Sequence, residues 1–218
     1  MTTTAAASNS VLITAALKRR RILASKIILV PYARHLVPKY NQWMQNTELQ
    51  FLTGSEPLSL TEEYAMYESW TADTNKCTFI VLDRAAYEAQ SEGQVADEER
   101  EIASMVGDVN FYVLDTEEGI AEIEIMIAEP SARGRGFGKE AALVMMQFGH
   151  QMAKVQKYEA KIKISNEQSQ KLFAGYFGFR EVSRSAVFGE ITYEADLTGE
   201  CQLKELFAGV QVQHQLLG

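Results

Sequence analysis

The pattern of hydrophobic and polar positions predicts alternating strands and helices from about residue 26 onward. Short apolar runs bounded by turn residues predict strands, and apolar positions repeating every three or four residues predict helices. We expect strands at residues 26–31, 77–82, 105–114, 120–128, 158–164, 179–182 and 188–197. We expect helices at residues 33–46, 61–73, 139–154 and 168–177.

The order of these elements predicts the fold class. Strands that follow one another without a helix pair in an antiparallel way, whereas a strand–helix–strand unit places its two strands in parallel. The first arrangement predominates, and the strand–helix–strand part of the chain implies a parallel pair. The sequence therefore predicts an α/β protein with a single mixed, mostly antiparallel sheet flanked by helices.

The two ends of the chain differ in composition from the middle. Residues 1–47 contain seven of the 21 basic residues and none of the 29 acidic residues. We expect residues 1–25 to form a disordered basic extension, although their composition also resembles a mitochondrial transit peptide. The domain is expected at residues 26–200, followed by a C-terminal tail at residues 201–218 that is amphipathic enough to form a helix.

Composition and charge exclude several classes of protein. The net charge of −8 argues against a general nucleic-acid-binding protein, and no apolar run is long enough to span a membrane. Two cysteines and three scattered histidines have no metal-binding spacing. Residues 88–101 contain six acidic residues and one basic residue, which predicts a solvated loop or local disorder.

The segment from Glu129 to Glu140 is the strongest candidate for a binding site. Gly134, Gly136 and Gly138 alternate between a predicted strand and a predicted helix. Glycines allow successive backbone N–H groups to point at one centre, and the N-terminus of the following helix adds a positive dipole end. Arg133, Arg135, Phe137 and Lys139 complete a segment suited to bind a pyrophosphate.

Two common phosphate-binding motifs do not match this segment. Lys139 is followed by Glu140 rather than by the Ser or Thr of a P-loop. The third glycine comes one residue too early for a dinucleotide-binding motif. A simple Gly-rich turn with solvated cations is the alternative interpretation.

Arg133-x-x-Gly136-x-Gly138 resembles the Q/R-x-x-G-x-G/A loop of the GNAT superfamily of N-acetyltransferases. Asn166-x-x-Ser169-x-x-Leu172-Phe173 followed by Gly178-Phe179 is similar to a second block of that family. The resemblance covers about residues 26–197, and further segments look like its N-acetyltransferase 9-like branch. These further segments are residues 28–32, 58–66, 76–83, 105–110 and 126–131.

The resemblance implies the GNAT acyl-CoA N-acyltransferase fold and acetyl-CoA as cosubstrate. It implies that backbone groups of Met126, Ile127 and Ala128 line the pantetheine arm and that the loop from Gly134 to Lys139 holds the pyrophosphate. Asn166 could also contact the cofactor arm, with a helix N-cap as the equal alternative.

The resemblance also implies direct attack of an amine on the thioester, without a covalent enzyme intermediate. Glu122 and Glu124, on one face of a predicted strand, are the candidate bases, with Glu122 slightly favoured. Phe173 stands where the family often has a tyrosine acid, so Tyr176 is the candidate that could replace it if the register shifts.

The branch further implies acetylation of the N-terminal residues of α- and β-tubulin, in the cytoplasm and with effects on microtubule stability. The alternatives are acetylation of a small amine, such as a polyamine, and a non-catalytic adaptor that binds CoA. Nothing in composition or periodicity indicates tubulin.

Overall fold

A single sheet runs through the protein and draws its strands from both ends of the chain as well as from the middle. The computed structural model describes residue 13, residues 15–90 and residues 95–217. Within these residues the strands are β1 (Arg20–Leu23), β2 (Ile27–Pro31), β3 (Lys76–Asp83), β4 (Met105–Asp115), β5 (Ile120–Ile127), β6 (Lys157–Lys163), β7 (Arg180–Ser185), β8 (Glu190–Asp196) and β9 (Gln213–Leu216).

Helices cover both faces of this sheet. They are α1 (Ala15–Lys18), α2 (Val37–Trp43), α3 (Thr47–Thr53), α4 (Leu60–Ala72), α5 (Arg84–Glu88), α6 (Asp97–Ser104), α7 (Phe137–Phe148), α8 (Glu167–Gln170) and α9 (Gln202–Ala208). Two π-helical turns, Gly149–Ala153 and Lys171–Tyr176, extend α7 and α8. The four helices predicted from the sequence are therefore confirmed, with differences at their ends.

The nine described strands follow the order β7-β8-β6-β5-β4-β3-β2-β1-β9. Every described pair is antiparallel except β5 with β6, which are parallel and are joined through α7. This arrangement confirms the predicted single mixed, mostly antiparallel sheet. It also places the one parallel pair at the centre of the molecule.

Two hydrophobic cores form, one on each face of the sheet. On one face α7 packs against the sheet with buried residues on nearly all sides, and α9 covers its outer side, where Gln147 Nε2 donates to Phe207 O at 3.0 Å. On the other face α2 and α4 contribute aromatic residues, among them Tyr40 and Trp43, that pack over Ile28 and Ile80. The second core borders the candidate site.

Helix α3 was not predicted from the sequence. It begins at the cap residue Asn46, whose side chain accepts from the N–H groups of Glu48 at 2.9 Å and Leu49 at 3.2 Å. It ends at Gly54, which has a left-handed φ of 65°. Helix α3 thus covers residues 47–53, and its Glu48 and Thr53 line the same cavity as residues of β5.

The ordered sheet begins before the predicted domain boundary at residue 26. Ile22 in β1 is fully buried, and β1 pairs with both β2 and β9. Residues 20–23 therefore correct the expectation of disorder up to residue 25, because an apolar side chain and two neighbouring strands stabilise them. Residues 1–12 and 14 lie outside the described residues. The C-terminal tail forms α9, as its pattern allowed, and also β9.

The acidic segment 88–101 is also more ordered than predicted. Residues 97–101 lie in α6, where Arg21 binds Asp97 at 2.9 Å and Glu101 at 2.5 Å. His35 Nε2 lies 2.7 Å from Glu101 Oε2 as well. Cations distant in sequence thus pair with acids that had been expected to be solvated. Residues 91–94 lie outside the described residues.

Candidate active site

A cleft opens where the two parallel strands of the sheet separate. β5 and β6 pair only from Ile120 with Lys157 to Glu122 with Glu159 among the described residues. Beyond Glu122 the strands diverge, and two adjoining cavities fill the gap. Both cavities share Leu52, Thr53, Ile125, Met126, Asn166 and Ser169 as walls. We call the cavity beside α7 the cofactor half and the cavity beside α2 and α4 the substrate half.

Residues 133–139, which we call the Gly-rich loop, form the end wall of the cofactor half. Gly134 and Gly136 have left-handed φ values of 73° and 88°, which side chains rarely adopt. A Cβ atom at Gly138 would lie 3.2 Å from Ile127 Cγ1, so the first turn of α7 lies directly against β5. The N-terminus of α7 and the side chains of Arg133 and Lys139 face this cavity. This arrangement fits a pyrophosphate group.

Hydrogen bonds from the start of β2 hold this loop in place. The Glu140 carboxylate accepts from the N–H groups of Ser25 and Lys26, both at 2.9 Å. Lys26 Nζ donates to the carbonyl oxygen of Arg135 at 3.2 Å. Glu140, which distinguishes this loop from a P-loop in the sequence, therefore anchors α7 to β2.

Arg135 does not face the cofactor half, although the sequence placed it among the cofactor-binding residues. Its guanidinium binds Asp83 Oδ2 at 2.9 Å and lies over the ring of Phe137. Arg135 is absent from the described lining of the cavity, whereas Arg133 is present and lies 3.8 Å from Glu48 of α3. Arg133 and Arg135 thus point to opposite sides of the loop, and a contact of Arg135 with the cofactor stays a prediction.

The other predicted cofactor-binding residues follow the edge of β5. Met126 and Ile127 line the cofactor half, and the Ile127 carbonyl accepts from Arg133 Nε at 3.2 Å. The Ala128 N–H is bonded to the Val106 carbonyl, and Ala128 is not among the lining residues. Asn166 lines both halves, and its side chain also caps α8 by accepting from Ser169 N at 3.0 Å. The N-cap interpretation of Asn166 is thereby confirmed, and its contact with the cofactor stays a prediction.

Glu122 and Glu124 both line the substrate half, on one face of β5. The register of β4 with β5 is regular from Ile127 to Ala121, so no bulge separates the two side chains. Lys161 Nζ lies 2.5 Å from Glu122 Oε2, and Lys76 Nζ lies 3.6 Å from Glu124 Oε2. Burial raises the pKa of Glu122, while the hydrogen bond from Lys161 opposes that rise.

Asp108 is a third carboxyl group in the substrate half, and the sequence analysis did not single it out. It lies on β4 opposite Met126, is only 4% exposed and lines the cavity. Burial, followed by the charge of Glu124, raises the pKa of Asp108 to about 7. A sequence signal was present, because Asp108 and Asn110 alternate within an otherwise apolar strand.

The predicted proton donor is not in the cleft. The ring of Tyr176 lies 4.3 Å from Lys139 Nζ, and Tyr176 is not among the described residues that line either half. Phe173 does line the substrate half and packs against Phe177 and Phe179. The hydroxyl groups that border both halves belong to Thr53 and Ser169.

Neither a metal site nor a membrane span is found in the part of the chain that the structure describes. No group of three His, Cys, Asp or Glu residues there could hold a metal ion. No helix there combines the length and the apolar character needed to cross a membrane. Cys77 is fully buried in β3, and burial raises the pKa of its thiol to about 12, which disfavours the reactive thiolate.

A family model described as an acetyltransferase (GNAT) domain matches residues 26–180, which include β2, the Gly-rich loop and, apart from Glu190, the residues that line the cleft. The chain belongs to the GNAT family. It is thus an acetyl-CoA-dependent acetyltransferase, and the resemblance found in its sequence is confirmed. The cofactor half, built around the Gly-rich loop, is the part of the GNAT domain that fits the pyrophosphate of acetyl-CoA.

Curated relatives are similar to this chain over most of their own length. The N-acetyltransferase 9-like protein of Nematostella vectensis is 48% identical over 176 residues, which are 80% of this GNAT chain and 85% of that protein. The alpha/beta-tubulin-N-acetyltransferase 9 of Homo sapiens is 48% identical over 173 residues, covering 78% of this chain and 80% of that protein.

Among solved structures, the spermidine N-acetyltransferase of Vibrio cholerae in complex with CoA and spermine superposes with a TM-score of 0.63. The match covers 83% of this chain and 96% of that chain at 15% identity. A similarity at this low identity supports the GNAT fold and not the substrate.

Proposed function

We propose that this acetyltransferase acetylates the N-terminal α-amine of a protein, and that α- and β-tubulin in the cytoplasm are its substrates. The observation that carries the proposal is the substrate half of the cleft. Asp108, Glu122 and Glu124 line this half, which joins the cofactor half through a shared wall. With Glu190, four carboxyl groups line this half against three lysines, and the excess of acids favours a cationic substrate such as an amine. The printed name of the human relative supports tubulin as that substrate.

In this proposal the cofactor half holds acetyl-CoA through groups that the chain already presents. Arg133 and Lys139 neutralise the pyrophosphate, and the N-terminal N–H groups of α7 bind its oxygens. The exposed edge of β5 at Ile125 and Ile127 borders the pantetheine arm. Acetyl-CoA supplies an acetyl group activated as a thioester. The protein then has to orient the amine and remove its proton.

The choice of an α-amine rests on proton affinity. An α-amino group has a pKa of about 7.7–8.0 and a lysine side chain a pKa of about 10.4, so much more of the α-amine is neutral at pH 7. Lys161 is paired with Glu122, and Tyr176 lies outside the cleft, so neither of these predicted groups offers a difficult nucleophile much help. Such a site suits the α-amine, which needs less activation.

The mouth of the substrate half favours a polypeptide over a small amine. Lys163 lines this half, donates to the Phe188 carbonyl at 3.3 Å and lies 5.8 Å from the ring of Phe51. Phe188 is 70% exposed and Phe51 is 58% exposed. Large apolar side chains beside the opening could contact the residues that follow a peptide N-terminus, and a polyamine would leave them unused.

An acetylation panel tests the proposal. The purified protein is incubated with acetyl-CoA and, separately, with a tubulin N-terminal peptide, the same peptide blocked at its N-terminus, a lysine peptide and spermidine. We expect an added acetyl mass on the free tubulin peptide alone. Acetylation of spermidine alone would favour the small-amine enzyme. CoA binding without acetylation of any amine would favour an adaptor, for which the absence of a tyrosine at Phe173 is the supporting observation.

A further inference from the structure

The Asp108 carboxyl is a buried polar group that lacks a full set of partners. Its Oδ1 atom is inaccessible to bulk solvent and has no hydrogen-bond partner among the described residues. Buried oxygens without a partner cost free energy, and folded proteins rarely contain them. Asp108 also lines the substrate half, so its carboxyl group lies where a bound amine could contact it.

The cations of the substrate half are bound to other groups. Lys76 Nζ donates to Asn110 Oδ1 at 3.1 Å, lies over the ring of Trp70 and approaches Glu124. Lys161 binds Glu122 at 2.5 Å. A carboxylate that is paired with a cation holds a proton weakly, so Glu122 is a weaker proton acceptor than its burial alone would make it.

Other charged and titratable groups near Asp108 also affect its affinity for protons. Burial is the largest cause of the raised pKa of Asp108, and the like charge of Glu124 on β5 raises that pKa further. Lys76 on β3 and a hydrogen bond from Asn110 act in the opposite direction. On the helical side Asp108 acts on the hydroxyls of Tyr40 and Tyr32, which are themselves buried. A carboxyl group with a pKa of about 7 can both accept and release a proton at neutral pH.

We propose that the Asp108 carboxyl group, which lines the substrate half, accepts a hydrogen bond from the incoming substrate ammonium and then takes its proton. This role rests on the proposed function, because it requires an amine in the substrate half. It makes Asp108, rather than Glu122 or Glu124, the proton acceptor. The glutamates, one paired with Lys161 and the other half exposed, attract the cationic substrate into the cleft.

The protons of the reaction balance with one carboxylate. The ammonium gives one proton to Asp108 and becomes a neutral amine. The C–N bond to the acetyl group then forms and the C–S bond of the thioester breaks. A second amine proton leaves with the sulfur as the free thiol of CoA, and the third stays on the amide nitrogen. Asp108 returns its proton to solvent before the next cycle.

Asp108→Asn tests this role, with Asp115→Asn as the matched control. Asp115 ends the same strand, is exposed and lies outside the cleft, where it caps the turn at Glu117 and Glu118. We expect D108N to lower kcat at pH 7 by about 10²-fold or more and to leave CoA affinity unchanged. The rise of kcat/KM with pH near 7 should persist in D115N and disappear in D108N. A loss below about threefold in D108N, with the same pH profile, would overturn the proposal.

A titration that needs no substrate keeps the test independent of activity. The carboxyl carbons of aspartate are labelled with ¹³C, and the wild-type and D108N proteins are titrated by NMR. One resonance that titrates near pH 7 should be absent from D108N. A signal assigned to Asp108 that titrates near pH 4 would overturn the inference even if no amine is acetylated. Failure of the wild-type protein on every amine, by contrast, would count against the proposed function itself.

Discussion

Four carboxyl groups line the substrate half, and the three that lie on β4 and β5 have different neighbours. Glu122 is tied to Lys161, Glu124 is half exposed near Lys76, and Asp108 is buried with one oxygen unpartnered. At the scale of single residues, depth in the sheet and nearby cations distinguish side chains that are chemically almost identical. The position of a carboxyl group in the fold thus affects its chemistry more than whether it belongs to Asp or Glu.

The raised pKa of Asp108 predicts a pH-dependent stability. The unfolded chain releases this proton near pH 3.9, whereas the folded chain holds it up to about pH 7. The contribution of the neutral carboxyl is therefore complete below pH 4 and is lost as the pH rises to 7. Relative to D108N, the wild type should lose up to about 1.4 kcal/mol per pH unit in this window.

Urea unfolding of both proteins at several pH values measures this difference. The two stability curves should converge below pH 4, diverge up to pH 7 and run parallel above it. Curves that stay parallel from pH 4 to pH 8 would mean that Asp108 titrates normally in the folded protein.

At the scale of elements, the Gly-rich loop and the first turn of α7 act as one unit anchored to the sheet. Glu140 ties α7 to β2, and Arg135 ties the loop to Asp83 at the end of β3. Arg133 is left to face the cofactor half. Two arginines separated by one residue therefore have different surroundings, and we expect only Arg133 to contact the cofactor.

Replacing each arginine in turn tests this division. Arg133→Gln should weaken CoA binding by about tenfold or more, because a charged contact with phosphate is lost, equivalent to about 1.4 kcal/mol. Arg135→Gln should change CoA affinity by less than about threefold and should act mainly on thermal stability. Calorimetric titration with CoA measures both affinities. A larger loss in R135Q than in R133Q would show that the loop turns over when CoA binds.

Strand β1 is a second element whose importance can be measured. Ile22 is completely buried between neighbouring strands, so Ile22→Ala should destabilise the fold by about 2–5 kcal/mol. Ile164→Ala, at a site that is 41% exposed, is the matched control and should cost much less. Chemical denaturation measures the free energy of unfolding of both variants. Equal losses in the two variants would mean that β1 adds little to the stability of the domain, which would then start at residue 26.

The elements that the sequence predicted are those with strong local signals. Apolar runs located the central strands, and alternating glycines located the loop before α7. The sequence did not indicate α3, whose cap depends on Asn46, or the end of the acidic segment, which Arg21 holds in α6. It also could not show that Arg135 turns to Asp83 or that Asp108 is buried. Each of these features depends on residues that meet only after the chain folds.

At the scale of the whole molecule, the separation of β5 from β6 brings the functional segments together. The Gly-rich loop before α7 borders one side of the cleft, and β4, α2 and α3 border the other. Acidic residues predominate in a chain with a net charge of −8, although the N-terminal segment is basic. The same fold thus combines a Gly-rich loop that fits a pyrophosphate with a cavity lined by four carboxyl groups and three lysines.

The central claim is that this acetyltransferase modifies an N-terminal α-amine, and one competition experiment tests it most directly. A tubulin N-terminal peptide that also contains a lysine is incubated with the protein and acetyl-CoA at pH 7, and tandem mass spectrometry locates the acetyl group. At that pH roughly 10–20% of the α-amine is neutral, compared with less than about 0.1% of the lysine side chain. The account predicts acetylation of the N-terminal residue with the lysine unmodified, and acetyl groups mainly on the lysine would contradict it.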